Sequence, residues 1–134
     1  MIQVLVADHH PIIRIGLKML FESVPDINVI GSVTTGIELI DFVERNPVDI
    51  VLTEIDLPEL NGITALRTLK REFSNVKVIM FSVHPEEIYA VSTIKAGASG
   101  YLSKTVSTQT IKDAILKVYQ GGIHISEKLA KRLT

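Results

Sequence analysis

Asp49-Ile50-Val51-Leu52-Thr53-Glu54-Ile55-Asp56-Leu57-Pro58-Glu59-Leu60-Asn61-Gly62 is an apolar run that ends on a carboxylate and then breaks into a turn. The run suits a strand buried on both faces of a parallel sheet. Pro58 and Asn61-Gly62 punctuate the loop after it. Helical spacing then begins with Ile63, Leu66, Leu69 and Phe73. A carboxylate at the C-terminal end of such a strand sits where open α/β sheets bind their ligands. Glu54 is therefore the first candidate site residue.

The same strand–loop–helix unit recurs along the chain. Apolar runs at Gln3–Ala7, Asn28–Ser32, Asp49–Thr53, Lys77–Ser82 and Gly100–Ser103 alternate with five helical patterns. Pro11 suits the first turn of a helix carrying Ile13, Leu17, Leu20, Phe21 and Val24. Thr34 or Thr35 caps a second, with Ile37, Ile40 and Val43, which Asn46-Pro47 stops. The third follows Asn61-Gly62. The fourth follows His84-Pro85 and carries Ile88, Val91 and Ile94. Ser107 caps a fifth, whose stripe is Ile111, Ala114, Ile115, Val118 and Tyr119, and Gly121-Gly122 ends it. The most economical fold is a flavodoxin-like (βα)5 three-layer α/β sandwich with a parallel sheet in the order 2-1-3-4-5. The domain is expected over residues 1–121. Residues 122–134, with Lys128, Lys131 and Arg132, read as a linker or the start of another element.

Composition narrows the function. The formal charge of −1 gives no basic footprint for nucleic acid. Without cysteine, disulfides, thiolate catalysis and Cys-based zinc sites are excluded. No secretory pattern or membrane span is visible, which points to a cytoplasmic chain without membrane contact.

Four strand ends place polar groups on one rim: Asp8, Glu54, Ser82 and Lys104. Neighbouring strands lie about 4.8 Å apart, so these side chains can converge on one small ligand. Two carboxylates favour a divalent cation, and a hydroxyl with an ammonium favours an anion's oxygens. A metal plus a cationic clamp is what phosphoryl transfer requires. Taken singly, a strand-end Asp is a helix cap, a Ser a turn residue and a Lys solvated. Their order at four strand ends carries the signal.

Val51–Gly62 resembles the phosphoacceptor segment of two-component response-regulator receiver domains. Ala7-Asp8-His9-His10-Pro11 resembles the acidic-pair turn of the NarL/FixJ (LuxR-type) class. Phe81-Ser82-Val83-His84 resembles its strand-four switch, and Ala96–Lys104 is close to a family consensus. The resemblance covers essentially the whole chain and implies a signalling domain rather than an enzyme. By it, Glu54 takes the phosphoacceptor position, Ser82 and Lys104 contact phosphoryl oxygens, and Tyr101 is a rotating aromatic switch. Asp8, Glu54 and the Asp56 backbone carbonyl would hold Mg2+. The implied partners are a sensor histidine kinase, a second copy of the chain in a homodimer, and the protein's own helix-turn-helix DNA-binding domain beyond residue 134. Tyr89, Lys95, Tyr101 and Lys112 are expected to be exposed on a dimer or interdomain surface.

Three departures stand out. Position 54 holds Glu where the family has Asp. Its extra methylene moves the carboxylate by about 1 Å, a displacement able to cost roughly a hundredfold in transfer, while its charge can imitate a phosphoryl group. Asp56, past the strand end, is a poor substitute acceptor. His9 replaces the second acid of the metal pair, and imidazole suits transition metals rather than magnesium, so Mg2+ is expected to be weak or absent. Thr105 follows Lys104 where many relatives have proline.

A cobalamin-like small-cofactor domain is the alternative, because Asp8-His9-His10 resembles an Asp-x-His cobalamin loop. Ile13 stands where that loop needs glycine. No Gly-rich phosphate loop follows the first strand. None of the four histidines has an evident Ser or Asp partner by spacing, which argues against a hydrolase.

Overall fold

The computed structural model describes residues 1–134. Strands β1 (Ile2–Ala7), β2 (Ile27–Val33), β3 (Ile50–Thr53), β4 (Lys77–Ser82) and β5 (Gly100–Ser103) alternate with helices α1 (Pro11–Glu22), α2 (Gly36–Arg45), α3 (Gly62–Glu72), α4 (Glu86–Lys95) and α5 (Thr108–Tyr119). A sixth helix, α6, spans Glu127–Leu133. The strands form one parallel sheet in the order β2-β1-β3-β4-β5, as the alternating pattern requires. No helix is long and apolar enough to cross a membrane.

Side-chain alternation divides the core into two layers. Val4, Val6, Ile50, Leu52, Ile79 and Leu102 pack with Leu17 and Phe21 of α1 and Ile111, Ala114 and Ile115 of α5. Leu5, Ala7, Val51, Val78 and Met80 pack on the opposite face with Leu39 of α2, Leu66 and Leu69 of α3 and Ala90 of α4.

Local chemistry sets the helix starts. Thr35 caps α2 through Glu38 N–H, Ser107 caps α5 through Thr110 N–H, and Asn61 Oδ1 accepts from Ile63 and Thr64. Gly62 opens α3 because the chain is crowded there. A Cβ at this position would lie 2.1 Å from the Glu54 carbonyl oxygen. The α3 N-terminus thus presses directly on the β3 strand end.

The helical stripes need three corrections. Ile88 and Ile37 face solvent rather than the core. Helix α4 instead buries the small residues Ala90 and Thr93, and half of Tyr119 is exposed. Tyr101, expected on the surface, is buried to 4% exposure, while Tyr89 and Lys112 are half-buried and Lys95 is exposed.

The stretch after Gly122 follows the sheet before turning helical. His124 N–H donates to the Ser99 carbonyl, and Tyr101 N–H donates to the His124 carbonyl. Ser126 then caps α6, its hydroxyl donating to Glu86 Oε1 at 2.7 Å while accepting from Leu129 N–H. Leu129 is 1% exposed and joins the core beside α4. Lys128 Nζ lies 3.2 Å from Glu87 Oε1.

Burial and nearby Lys117 hold the His124 imidazole below its ordinary value of 6.5, with Asp113 acting the opposite way. The unfolded chain therefore binds this proton at a higher pH than the folded one. Stability should fall as pH drops through 6.5 toward the folded-state value, and His124→Gln should flatten that slope in denaturation curves. Leu129→Ala should cost about 2–4 kcal/mol in urea denaturation by opening a cavity under α6. Gly62→Ala should destabilise by about 1–3 kcal/mol through overpacking against Glu54, read as a lower melting temperature.

Candidate phosphoryl-type site at the strand ends

The parallel register builds the site. Glu54 N–H donates to the Ala7 carbonyl at 2.9 Å, which sets the end of β3 beside that of β1. Lys104 N–H donates to the Ser82 carbonyl at 2.8 Å, which sets the end of β5 beside that of β4. Asp8 and Glu54 are each 1% exposed and Ser82 is fully buried. The four strand-end residues do share one rim.

Lys104 is the point on which three of them meet. Its ammonium lies 2.7 Å from Asp8 Oδ2, a charge contact without hydrogen-bond alignment, and it also pairs with Glu54 Oε2. It sits 5.9 Å from the Phe81 ring centroid, within cation–π reach. The lysine side chain is itself almost fully covered.

The far oxygens of both carboxylates are engaged as well. Glu54 Oε1 accepts from Ile55 N–H at 3.0 Å. Asp8 Oδ1 accepts from His10 N–H at 2.9 Å and lies 3.0 Å from His10 Nδ1. Arg14, one turn into α1, donates to the Asp8 carbonyl at 2.8 Å. Buried carboxylates are tolerable when each oxygen has a donor or a counter-charge, and here each does.

The rest of the pocket is less convergent. Ser82 Oγ accepts from His84 N–H at 3.0 Å. The Tyr101 hydroxyl donates to the His84 carbonyl at 2.8 Å, which pins the ring beneath the β4–α4 loop. Burial holds that phenol above its ordinary pKa, with the Ser82 hydroxyl acting in opposition and the Glu54 charge adding to the rise. The Asp56 side chain points away from the carboxylate pair and meets His84 Nε2 at 2.6 Å. The Lys104–Thr105 peptide is trans.

Sequence spacing did not reveal three contacts. His84 and His10 each have an aspartate partner, Asp56 and Asp8, against the expectation that no histidine was so paired. The Arg14 clamp on Asp8 is the third, and its only trace in sequence is its position in the first turn after Pro11.

Residues 4–116 match the family described as response regulator receiver domain. The chain is 35% identical over 133 residues to response regulator UvrY of Escherichia coli (strain K12), covering 99% of this chain and 61% of that protein. It is 32% identical over 126 residues to the nitrate/nitrite response regulator protein NarL of the same organism, covering 94% of this chain and 58% of the relative. The chain thus spans about three-fifths of the length of these relatives. A crystal structure of a LuxR-family two-component response regulator from Aurantimonas sp. SI85-9A1 superposes with a TM-score of 0.89 at 27% identity, covering 98% of this chain and 94% of that one. With the sheet order and the family match agreeing over nearly its whole length, the chain belongs to the response-regulator receiver domains of the NarL/FixJ (LuxR-type) kind.

Proposed function

We propose that this receiver domain carries a phosphoryl pocket already neutralised by its own side chains, so that phosphorylation is impaired and its charge partly imitated. The buried Glu54–Lys104–Asp8 cluster carries this reading. Acyl-phosphate formation would need a carboxylate oxygen at position 54 to attack phosphorus while the donor's leaving group departs. Here one Glu54 oxygen is held by Ile55 N–H and the other by the Lys104 ammonium, so neither is free to attack. The ammonium that would receive a phosphoryl oxygen is already paired with two carboxylates.

The residues do not fit Mg2+. Magnesium requires near-octahedral oxygen coordination. The oxygens of Asp8 and Glu54 not bound by backbone N–H groups both face the ammonium, and His9 supplies nitrogen where a second acid would stand. The inward, tethered Tyr101 supports an active-like arrangement of the β4–α4 loop. In this reading Glu54 occupies the phosphoacceptor position and supplies one negative charge where a phosphoryl group would supply nearly two.

The output lies beyond this chain. Residues 122–134 lead toward a helix-turn-helix domain that would bind DNA. A sensor histidine kinase and a second copy of the chain are the other partners, and the setting is cytoplasmic. The cobalamin-like alternative has no supporting observation, since Ile13 stands where that loop needs glycine.

Acetyl phosphate with magnesium, followed by intact-mass measurement, tests the proposal. The protein should remain unmodified, whereas Glu54→Asp should gain one phosphoryl group, and more fully when combined with His9→Asp. Labelling of the unmodified sequence to the level of Glu54→Asp would sink the idea.

A further inference from the structure

The loop leaving β1 gathers a second set of ligating groups, turned from the Glu54 side of Asp8. One donor atom from each of Asp8, His9 and His10 lies within 4.8 Å of the others. The His9 and His10 rings lie against each other with centroids 3.9 Å apart, tilted by 39°. His9 Nδ1 is buried and has no hydrogen-bond partner. A buried ring nitrogen left this way is costly and calls for an explanation.

We infer that the Asp8-His9-His10 loop binds a divalent transition metal of the zinc type in place of magnesium. Two neutral imidazoles and one carboxylate form a borderline donor set that suits zinc, nickel or copper and not the hard magnesium ion. Zinc bonds of about 2.0–2.2 Å place tetrahedral ligand atoms roughly 3.4 Å apart. The 4.8 Å spread therefore has to contract by about 1 Å. Rotation of the two histidine side chains supplies that movement, because Asp8 is fixed by Arg14 and by His10 N–H. Coordination would also satisfy the orphaned His9 nitrogen.

Three protein ligands leave a fourth position open to water or to an incoming anion. A dication here would add positive charge beside the pocket from the opposite side of Asp8 to Lys104. Of the other two histidines, the His84 ring is paired with Asp56 and His124 lies apart at the β5 edge, bonded there through its backbone.

Calorimetric titration of tag-free protein with zinc chloride, and separately with magnesium chloride, tests this site. One zinc per chain should bind at least about a hundredfold more tightly than magnesium. His9→Ala and His10→Gln should each weaken zinc by about tenfold or more, while His84→Gln leaves it unchanged. Cobalt substitution should give visible absorption bands that disappear in His9→Ala. Circular dichroism confirms that the loop variants fold. Zinc affinity in His9→Ala or His10→Gln equal to that of the unaltered protein, one metal per two chains, or magnesium binding as tight as zinc would each overturn the inference. These readouts use metal alone, so they stand or fall separately from acetyl-phosphate labelling of position 54.

Discussion

Everything at the C-terminal rim of the sheet depends on a single ammonium held between two buried carboxylates. Burying Asp8 and Glu54 side by side without a cation would force like charges together in a medium that screens them poorly. Lys104 resolves the conflict, and it reaches the pair only because β5 ends in register with Ser82 of β4. The same requirement disciplines the loops. Asp8 is held from its backbone carbonyl and from one oxygen, Glu54 from one oxygen, and the Gly62 helix start must pack against the Glu54 carbonyl. A slip of one residue in any of β1, β3 or β5 would separate the charges.

Most of this arrangement is legible in the sequence because it follows from period and punctuation. The strands buried on both faces read as continuous apolar runs, and Thr35, Asn61 and Ser107 announce their helices chemically. Since parallel strands must end together, the four rim residues follow from the strand ends alone. What stayed hidden depends on tertiary partners. Helix α4 has a weak stripe, and its buried side carries the small residues Ala90 and Thr93, so Ile88 misleads. Tyr101 reads as an exposed aromatic until the β4–α4 loop covers it. The His84–Asp56 pair joins residues 28 apart with no shared pattern. Helix α6 is only two turns long, too short for periodicity to show which face Leu129 would bury.

In the proposed function, glutamate in place of aspartate at position 54 keeps the charge and moves it. An added methylene shifts the nucleophilic oxygen out of line, yet it also brings a fixed negative charge to the ammonium meant for a phosphoryl oxygen. A phosphoryl group would deliver more charge and three acceptor oxygens, so the imitation is partial. His9 removes the second acid of the magnesium pair. Under the proposed function the two changes are consistent, because a pocket that did not receive phosphate would not need the cation that stabilises it.

The contacts also show why the rim need not act alone. Asp56 at the β3 end touches His84, whose carbonyl receives the Tyr101 hydroxyl, and His84 precedes the first turn of α4. Glu86 and Glu87 of that turn hold Ser126 and Lys128 at the start of α6. Tyr101 also receives the C-terminal segment, through its backbone N–H bond to the His124 carbonyl. The β4–α4 loop is therefore shared by the charge cluster's border, the buried aromatic and the C-terminal helix. A change in that loop cannot preserve all of these bonds at once. Since packed interfaces move between discrete arrangements rather than deform smoothly, α6 is placed to respond to the rim as a unit, with Leu129 as its anchor in the core.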